Sequence, residues 1–175
     1  MIYEPREDSF LLQKYVRKYA KGKVLDLGSG SGIQALTALQ NTKDVLALDI
    51  DEESVQELKK KGIKAVKSDL FENIKDKFDL IIFNPPYLPE LEGEGKELSK
   101  AISGGKNGYE LIERFLKQVK RHLKDKGRIL IVFSSLTGNI EELFKRYNYK
   151  FKKLEEQVFF YEKIFIYELS EKFIN

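Results

Sequence analysis

Asn84, Pro85, Pro86 and Tyr87 follow directly on the apolar run Leu80-Ile81-Ile82-Phe83. Proline has no N–H to give a sheet and holds the residue before it extended, so Asn84 is predicted at the C-terminal end of a strand that stops there. Ligands of open α/β sheets bind outside the carboxyl ends of the strands. Set there, the Asn84 carboxamide, the Pro85 carbonyl and the Tyr87 ring suit a planar NH2 group. The two oxygens accept both of its hydrogens, and the ring lies on its plane. By itself the tetrapeptide reads equally well as a strand-ending turn, because Asn-Pro is a common turn dipeptide.

A second constellation precedes it. Gly28-Ser29-Gly30-Ser31-Gly32 follows the short apolar segment Lys23-Val24-Leu25-Asp26-Leu27 and opens a helical pattern. Such a loop lets backbone approach a ligand closely and offers helix N-terminal N–H groups to an anion. It is not the dinucleotide fingerprint G-x-G-x-x-G, since position 33 is Ile. Asp49 ends the next strand, where a carboxylate can accept from ribose hydroxyls, so the expected cofactor carries a nucleoside. Asp69 sits just past a third strand end and is read in the same way. Asp44 and Asp51 are read as a solvated charge or a helix cap.

The elements that must position these groups follow from periodicity. Leu12, Val16 and Tyr19 mark a helix from Glu7 to Ala20, with Asp8 and Ser9 as capping residues. Ile33, Leu36 and Leu39 mark a second helix. Val45 to Leu48 is a strand, Glu52 to Lys60 a helix with Val55 and Leu58 inward, Ile63 to Val66 a strand, and Phe78 to Phe83 a strand buried on both faces. Residues 84–108 show no regular pattern and are expected to form a lid over the site. They carry Glu90, Glu92, Glu94 and Glu97, then Ser103-Gly104-Gly105-Lys106-Asn107-Gly108. Ile112, Phe115, Leu116, Val119 and Leu123 mark the next helix, Arg128 to Phe133 a strand, and Ile140, Leu143, Phe144 and Tyr147 another helix. Tyr149 to Leu154 and Ile164 to Leu169 have no helix between them and are expected to pair as an antiparallel hairpin. Alternating strand and helix predicts right-handed βαβ units and a parallel sheet.

Composition limits the class of protein. The 175 residues fit one domain, 1–175, whose first 22 residues form an N-terminal helical segment. Hydrophobic residues make up 42% and charged residues 34%, which fits a globular chain. With no cysteine there are no disulfides, no thiolate metal sites and no Cys nucleophile. The first residues hold no apolar signal region and no stretch is long enough to span a bilayer, so a soluble, cytoplasmic protein without membrane association is expected. A net charge of +3 permits a nucleic-acid partner without calling for one. The one histidine, His122, lies among Lys120, Arg121 and Lys124 and is read as a surface residue.

Taken together, these motifs resemble the S-adenosylmethionine-dependent methyltransferases of the Rossmann-like, seven-stranded class. Asp26 to Gly32 is similar to that class's cofactor motif, and Asn84-Pro85-Pro86-Tyr87 to the motif of members that methylate amide or amine nitrogen. The head from Tyr3 to Leu12, the Gly104 to Gly108 element and Phe159-Phe160-Tyr161-Glu162 resemble one branch, the HemK-like release-factor glutamine methyltransferases of archaea and eukaryotes. The resemblance implies strand order 3-2-1-4-5-7-6 with the last strand antiparallel, and S-adenosyl-L-methionine as cofactor. It implies Gly28, within the Gly28, Gly30 and Gly32 loop, at the methionine part, with Ser9 near its carboxylate and Asp26 near its ammonium. Asp49 is then at the ribose, Asp69 at the adenine amino group and Leu70 beside the ring. Asn84, with Pro85 and Tyr87, is the catalytic group. Position 107 is Asn where the branch more often has Asp.

The resemblance also names partners. The implied substrate is the glutamine of a Gly-Gly-Gln loop in a translation release factor, methylated on its side-chain nitrogen. A small activator subunit is implied as well, expected on the sheet edge near Ile63-Lys64-Ala65-Val66. Two other readings stay open. One is a methyltransferase of exocyclic amines, adenine N6 or guanine N2, in RNA or DNA; the mild charge and acidic lid argue against it. The other is a cofactor-binding scaffold without activity, against which Asn84 and Asp49 both argue.

Overall fold

The computed structural model describes residues 5–90 and 102–172. Seven strands form one sheet: β1 Lys23–Leu27, β2 Asp44–Asp49, β3 Ala65–Lys67, β4 Phe78–Phe83, β5 Leu123–Ser134, β6 Tyr149–Phe159 and β7 Glu162–Glu171. The order is β3-β2-β1-β4-β5-β7-β6, as expected. The strands β1 to β5 pair in parallel, whereas β7 runs antiparallel to both β5 and β6. The helices that lie wholly within the described residues are α1 Glu7–Tyr19, α2 Ile33–Ala38, α3 Glu52–Lys60, α4 Glu110–Gln118 and α5 Ile140–Arg146.

Two apolar layers sandwich the sheet. On one face α1, α2 and α3 cover Val24, Ala47, Leu80, Ile82, Leu130 and Ile166. On the other, α4 and α5 cover Leu25, Leu48, Ile81, Ile129 and Ile131, with Phe115, Phe133 and Phe144 filling the space. Burial on both faces explains why β4 shows no alternation of apolar and polar residues. The crossover register then aligns the strand ends. Leu27 lies between Leu48 and Phe83, which sets Gly28, Asp49 and Asn84 side by side at one rim.

Several expectations need correction. Asp8 and Ser9 do not cap α1: its N-cap is Arg6, which gives the helix no side-chain capping bond, and Asp8 and Ser9 are both buried. The buried face of α2 is Gln34, Ala35, Thr37 and Ala38, while Leu36 is exposed. Small residues win there because α2 lies close against α1, where Gln13 Nε2 donates to Thr37 Oγ1. Ile63 closes α3 instead of starting β3: Gly62 takes a φ of 78°, and Ile63 N donates to Leu58 O. The helix after the lid ends at Gln118; a 3-10 turn, Val119–His122, follows, and Leu123 already belongs to β5. His122 stacks on Phe71 there, consistent with its bland reading. The hairpin strands run longer than their apolar pattern, since β6 is a sheet edge with Lys150, Lys152 and Lys153 outward.

The middle of the expected lid, 91–101, with Glu92, Glu94 and Glu97, lies outside the described residues. Its two described ends meet. Leu88 and Ser103 form a parallel bridge, and Gly104 packs so tightly that an added Cβ would stand 2.1 Å from Gly108 O. Asn107 closes that turn, its Nδ2 donating to Glu110 Oε1 at 2.7 Å. Among the described residues no helix is long and apolar enough to cross a membrane.

Candidate active site

A cavity of about 900 Å³ opens along the carboxyl ends of β3, β2, β1 and β4. Ser9, Asp26, Gly28, Gly30, Asp49, Asp69, Leu70, Asn84, Pro85 and Tyr87 all line it. Gly32 does not. Its φ is +83°, and a Cβ there would come within 2.7 Å of Leu58 Cδ2. Its place is behind the loop, where it lets α2 start against α3. Gly28, also left-handed at +65°, lines the cavity, and a Cβ there would meet only the Phe83 ring, at 3.9 Å, so within the protein glycine is required by the turn and not by crowding.

The acidic residues are held by backbone donors. Asp49 Oδ2 accepts from Gly30 N at 2.8 Å and Oδ1 from Asp51 N at 2.9 Å, which locks the carboxylate facing the glycine loop. Burial raises its pKa, and those N–H groups oppose the rise. Asp26 is deeper. Burial pushes it up to about 7, against the stabilising bonds from Ser29 Oγ and Ala35 N, with Asp49 adding to the rise. Asp51 caps α3 through Ser54 N, so its bland reading holds. Asp69 pairs with Arg114, Nη2 to Oδ2, at 2.9 Å. Beside it Leu70 takes a φ of 49°, a left-handed backbone uncommon outside glycine and of the kind found where a site fixes the chain.

At the other end stands a group that the sequence reading missed. Asp8 Oδ2 accepts from Tyr87 Oη at 3.1 Å and, at a longer 3.4 Å, from Asn84 Nδ2. Ser9 Oγ lies 3.3 Å from the same Nδ2. A carboxylate can only accept, so the NH2 side of Asn84 must face Asp8, and Oδ1 is turned away from it. One signal was available: Asp8, Leu12 and Val16 recur every fourth residue, which places a carboxylate on the buried stripe of α1. Arg114 and Gln34 also escaped notice.

The lining fits a ligand that brings hydrogen-bond donors. Gln34 Nε2 donates to Ser9 O at 2.8 Å, and its Oε1 is buried without a partner in the same wall. Glu162 Oε2 is likewise buried and unpartnered. Asp26 beside Gln34 would answer an ammonium group, and Asp49 a pair of hydroxyls. Those are the donors of the amino acid and ribose parts of S-adenosylmethionine.

Comparisons with known proteins agree. The family model described as methyltransferase small domain matches residues 7–161. A putative protein N5-glutamine methyltransferase of Methanocaldococcus jannaschii is 39% identical over 153 residues, covering 82% of this chain and 78% of that protein. A release factor glutamine methyltransferase of Streptococcus pneumoniae is 31% identical over 141 residues, 71% of this chain, which spans about half of that protein (50%). Among solved structures, a chain of the E. cuniculi Mtq2-Trm112 complex, described as responsible for methylation of the eRF1 translation termination factor, superposes with a TM-score of 0.79 at 22% identity. The match covers 98% of this chain and 99% of that one. With the glycine loop and the acidic strand ends on one cavity, the match over residues 7–161 makes the chain a member of the methyltransferase small-domain family, an enzyme dependent on S-adenosylmethionine.

Proposed function

We propose that this chain methylates the side-chain amide nitrogen of a glutamine, the one in the Gly-Gly-Gln loop of a translation release factor. The observation that carries the reading is the orientation of Asn84. With its NH2 side against Asp8 and Ser9, its Oδ1 is the acceptor offered to the cavity, beside the Pro85 carbonyl. The names of the relatives supply the substrate class.

An amide nitrogen is a poor nucleophile because its lone pair is delocalised into the carbonyl. Asn84 Oδ1 and the Pro85 carbonyl would accept the two N–H hydrogens, fix the NH2 group and favour a pyramidal nitrogen. Tyr87, held through its hydroxyl by Asp8, would cover the amide plane. When bound, S-adenosylmethionine supplies an electrophilic methyl on a positively charged sulfur. The protein's share is then positioning and exclusion of water, and the spare proton of the product leaves to solvent. In this reading Asp49 holds the ribose hydroxyls, and Asp26 the ammonium with Ser9 near the carboxylate. Gly28 meets the methionine part, and Gly30 shapes the loop. Asp69 takes the adenine amino group with the oxygen that Arg114 leaves open, next to Leu70.

We further propose that one catalytic domain, working in the cytoplasm with residues 84–108 as lid, is completed by a small activator subunit. The Mtq2-Trm112 match supports this, as does the position of β3 at the sheet edge. The test is mass spectrometry of a release factor incubated with enzyme and cofactor. One added methyl at the loop glutamine, absent from a Gln→Ala factor, is expected. Methyl appearing in nuclease-sensitive material, with the factor unmodified, would transfer the assignment to nucleic acid.

A further inference from the structure

Glu162 opens β7, and Ile164 and Ile166 continue its face into the core under α1. An apolar residue would extend that stripe. Instead a carboxylate stands there, with Oε2 buried and no donor within reach, in the wall of the active-site cavity. An acceptor kept buried without a partner is costly, unless something that binds brings the donor.

The topology says which ligand passes this point. Ile131 of β5 pairs with Phe83 on one side and with Tyr167 of β7 on the other, and Ser134 pairs with Ile164. Glu162 is therefore reached from the Asn84 strand by going away from Asp49 and Asp69. It lies two strand spacings, roughly 10 Å, to the far side, and four residues of β7, roughly 13 Å, further outward than Ile166, which is level with Asn84. The adenosine end of the cavity is on the opposite flank, so the donor belongs to the methyl acceptor. The turn that precedes Glu162 carries Phe160 and Tyr161, 101% and 95% exposed, and Phe160 reaches the cavity wall.

We propose that Glu162 and the Phe160–Tyr161 turn form a binding lip for the backbone of the protein substrate, resting on the glutamine reading above. Glu162 Oε2 accepts a main-chain N–H next to the reacting residue, and the two rings lie on the flanking peptide planes. The separation matches: an acceptor side chain engaged at Asn84 carries its own backbone outward by its length, and the neighbouring peptide unit reaches the lip. Flanking glycines leave their N–H groups unshielded, which a bulkier segment would not.

The test is steady-state methylation of a full-length release factor by Glu162→Leu and Glu162→Gln, with cofactor affinity by calorimetry and thermal unfolding measured alongside. Loss of a hydrogen bond to a charged group predicts a KM for the factor raised about tenfold or more in E162L and less in E162Q. Cofactor affinity should stay near wild type, and the unfolding temperature should hold or rise, since an unsatisfied carboxylate has been removed. Phe160→Ala with Tyr161→Ala should raise the same KM. An unchanged KM overturns the lip. So does a loss of cofactor affinity, which would assign Glu162 to the methionine end, or a fall in unfolding temperature, which would make its carboxylate structural. If the wild-type enzyme itself leaves the factor unmodified, the glutamine reading fails first and the lip with it.

Discussion

Asn84 is held by a carboxylate that does not touch the reacting atoms in our reading. That division of labour gives a pair of predictions with different signatures. Asn84→Ala removes the acceptor for the reacting nitrogen, so methyl transfer should collapse while calorimetry finds cofactor affinity close to wild type. Asp8→Asn can present an NH2 toward Asn84 and loses the charge that fixes its orientation. It should lower kcat by roughly 10-fold or more, the loss of one charge-assisted bond, with binding little changed. Comparable losses of binding in both variants would make the pair structural. At the cofactor end, Asp49→Ala should cost about 1.5–3 kcal/mol of cofactor binding; equal affinities would misplace the ribose. Asp26 makes binding depend on pH. Burial raises it to about 7, so the folded apo protein keeps a proton there that the unfolded chain loses near 3.8. Stability thus declines as pH rises through that window. A ligand ammonium favours the ionised form, so affinity should increase between about pH 5.5 and 7, with one proton released on binding. Calorimetry in buffers of different ionisation enthalpy reads that proton, and its absence would place the ammonium elsewhere. Of these residues the sequence made Asn84 and Asp49 legible, because each stands at a strand end on the ligand rim, while Asp26 was reached only through the family resemblance. Asp8 was not, because the first turn of a helix is where acidic residues are ordinarily placed by the helix dipole.

At the scale of elements, periodicity worked where apolar residues are large and failed where packing is close. In α3, α4 and α5 the inward residues, such as Val55, Phe115 and Phe144, are those that spacing picks out. In α2 the spacing picked Leu36, which is exposed, because a six-residue helix wedged beside α1 takes small side chains inward. The glycine loop was recognised as a unit, yet its members divide: Gly28 and Gly30 shape the cavity wall, and Gly32 admits Leu58 and Ile63 behind it. This division is testable. Gly32→Ala must place a Cβ at a left-handed φ and within 2.7 Å of Leu58 Cδ2. It should destabilise the fold by about 1–3 kcal/mol in denaturant unfolding. Gly28→Ala meets only the Phe83 ring edge at 3.9 Å, so its cost should be smaller in stability and larger in cofactor affinity. The reverse ranking would return Gly32 to the cavity.

For the whole molecule the question is what the open sheet edges do. Strand order was legible from the resemblance alone, because alternation fixes parallel pairing but not which strand stands outermost. The two edges differ. β6 is long, carries three lysines and has a register shift between Lys153 and Glu155, devices that discourage pairing with another chain. β3 has only three residues, and its outward groups can be identified. Lys64 O accepts from Ala47 N, and Ser68 N donates to Asp49 O, so alternate residues 64, 66 and 68 face β2. Ala65 therefore turns its N–H and carbonyl outward and Lys67 its N–H, where an added strand would bind, while Lys67 O already accepts from Asn73 Nδ2 at 2.8 Å. Lys67→Pro deletes an outward N–H without touching the ladder to β2, and it loses only an exposed 3.7 Å pair with Glu52. The isolated variant should fold and bind cofactor like wild type. If the activator subunit of our reading completes the sheet at β3, the wild-type chain should capture a small partner from extract and gain activity from it, while the variant should do neither. Equal capture by both would leave strand addition at this edge without support and move the docking surface to the helices.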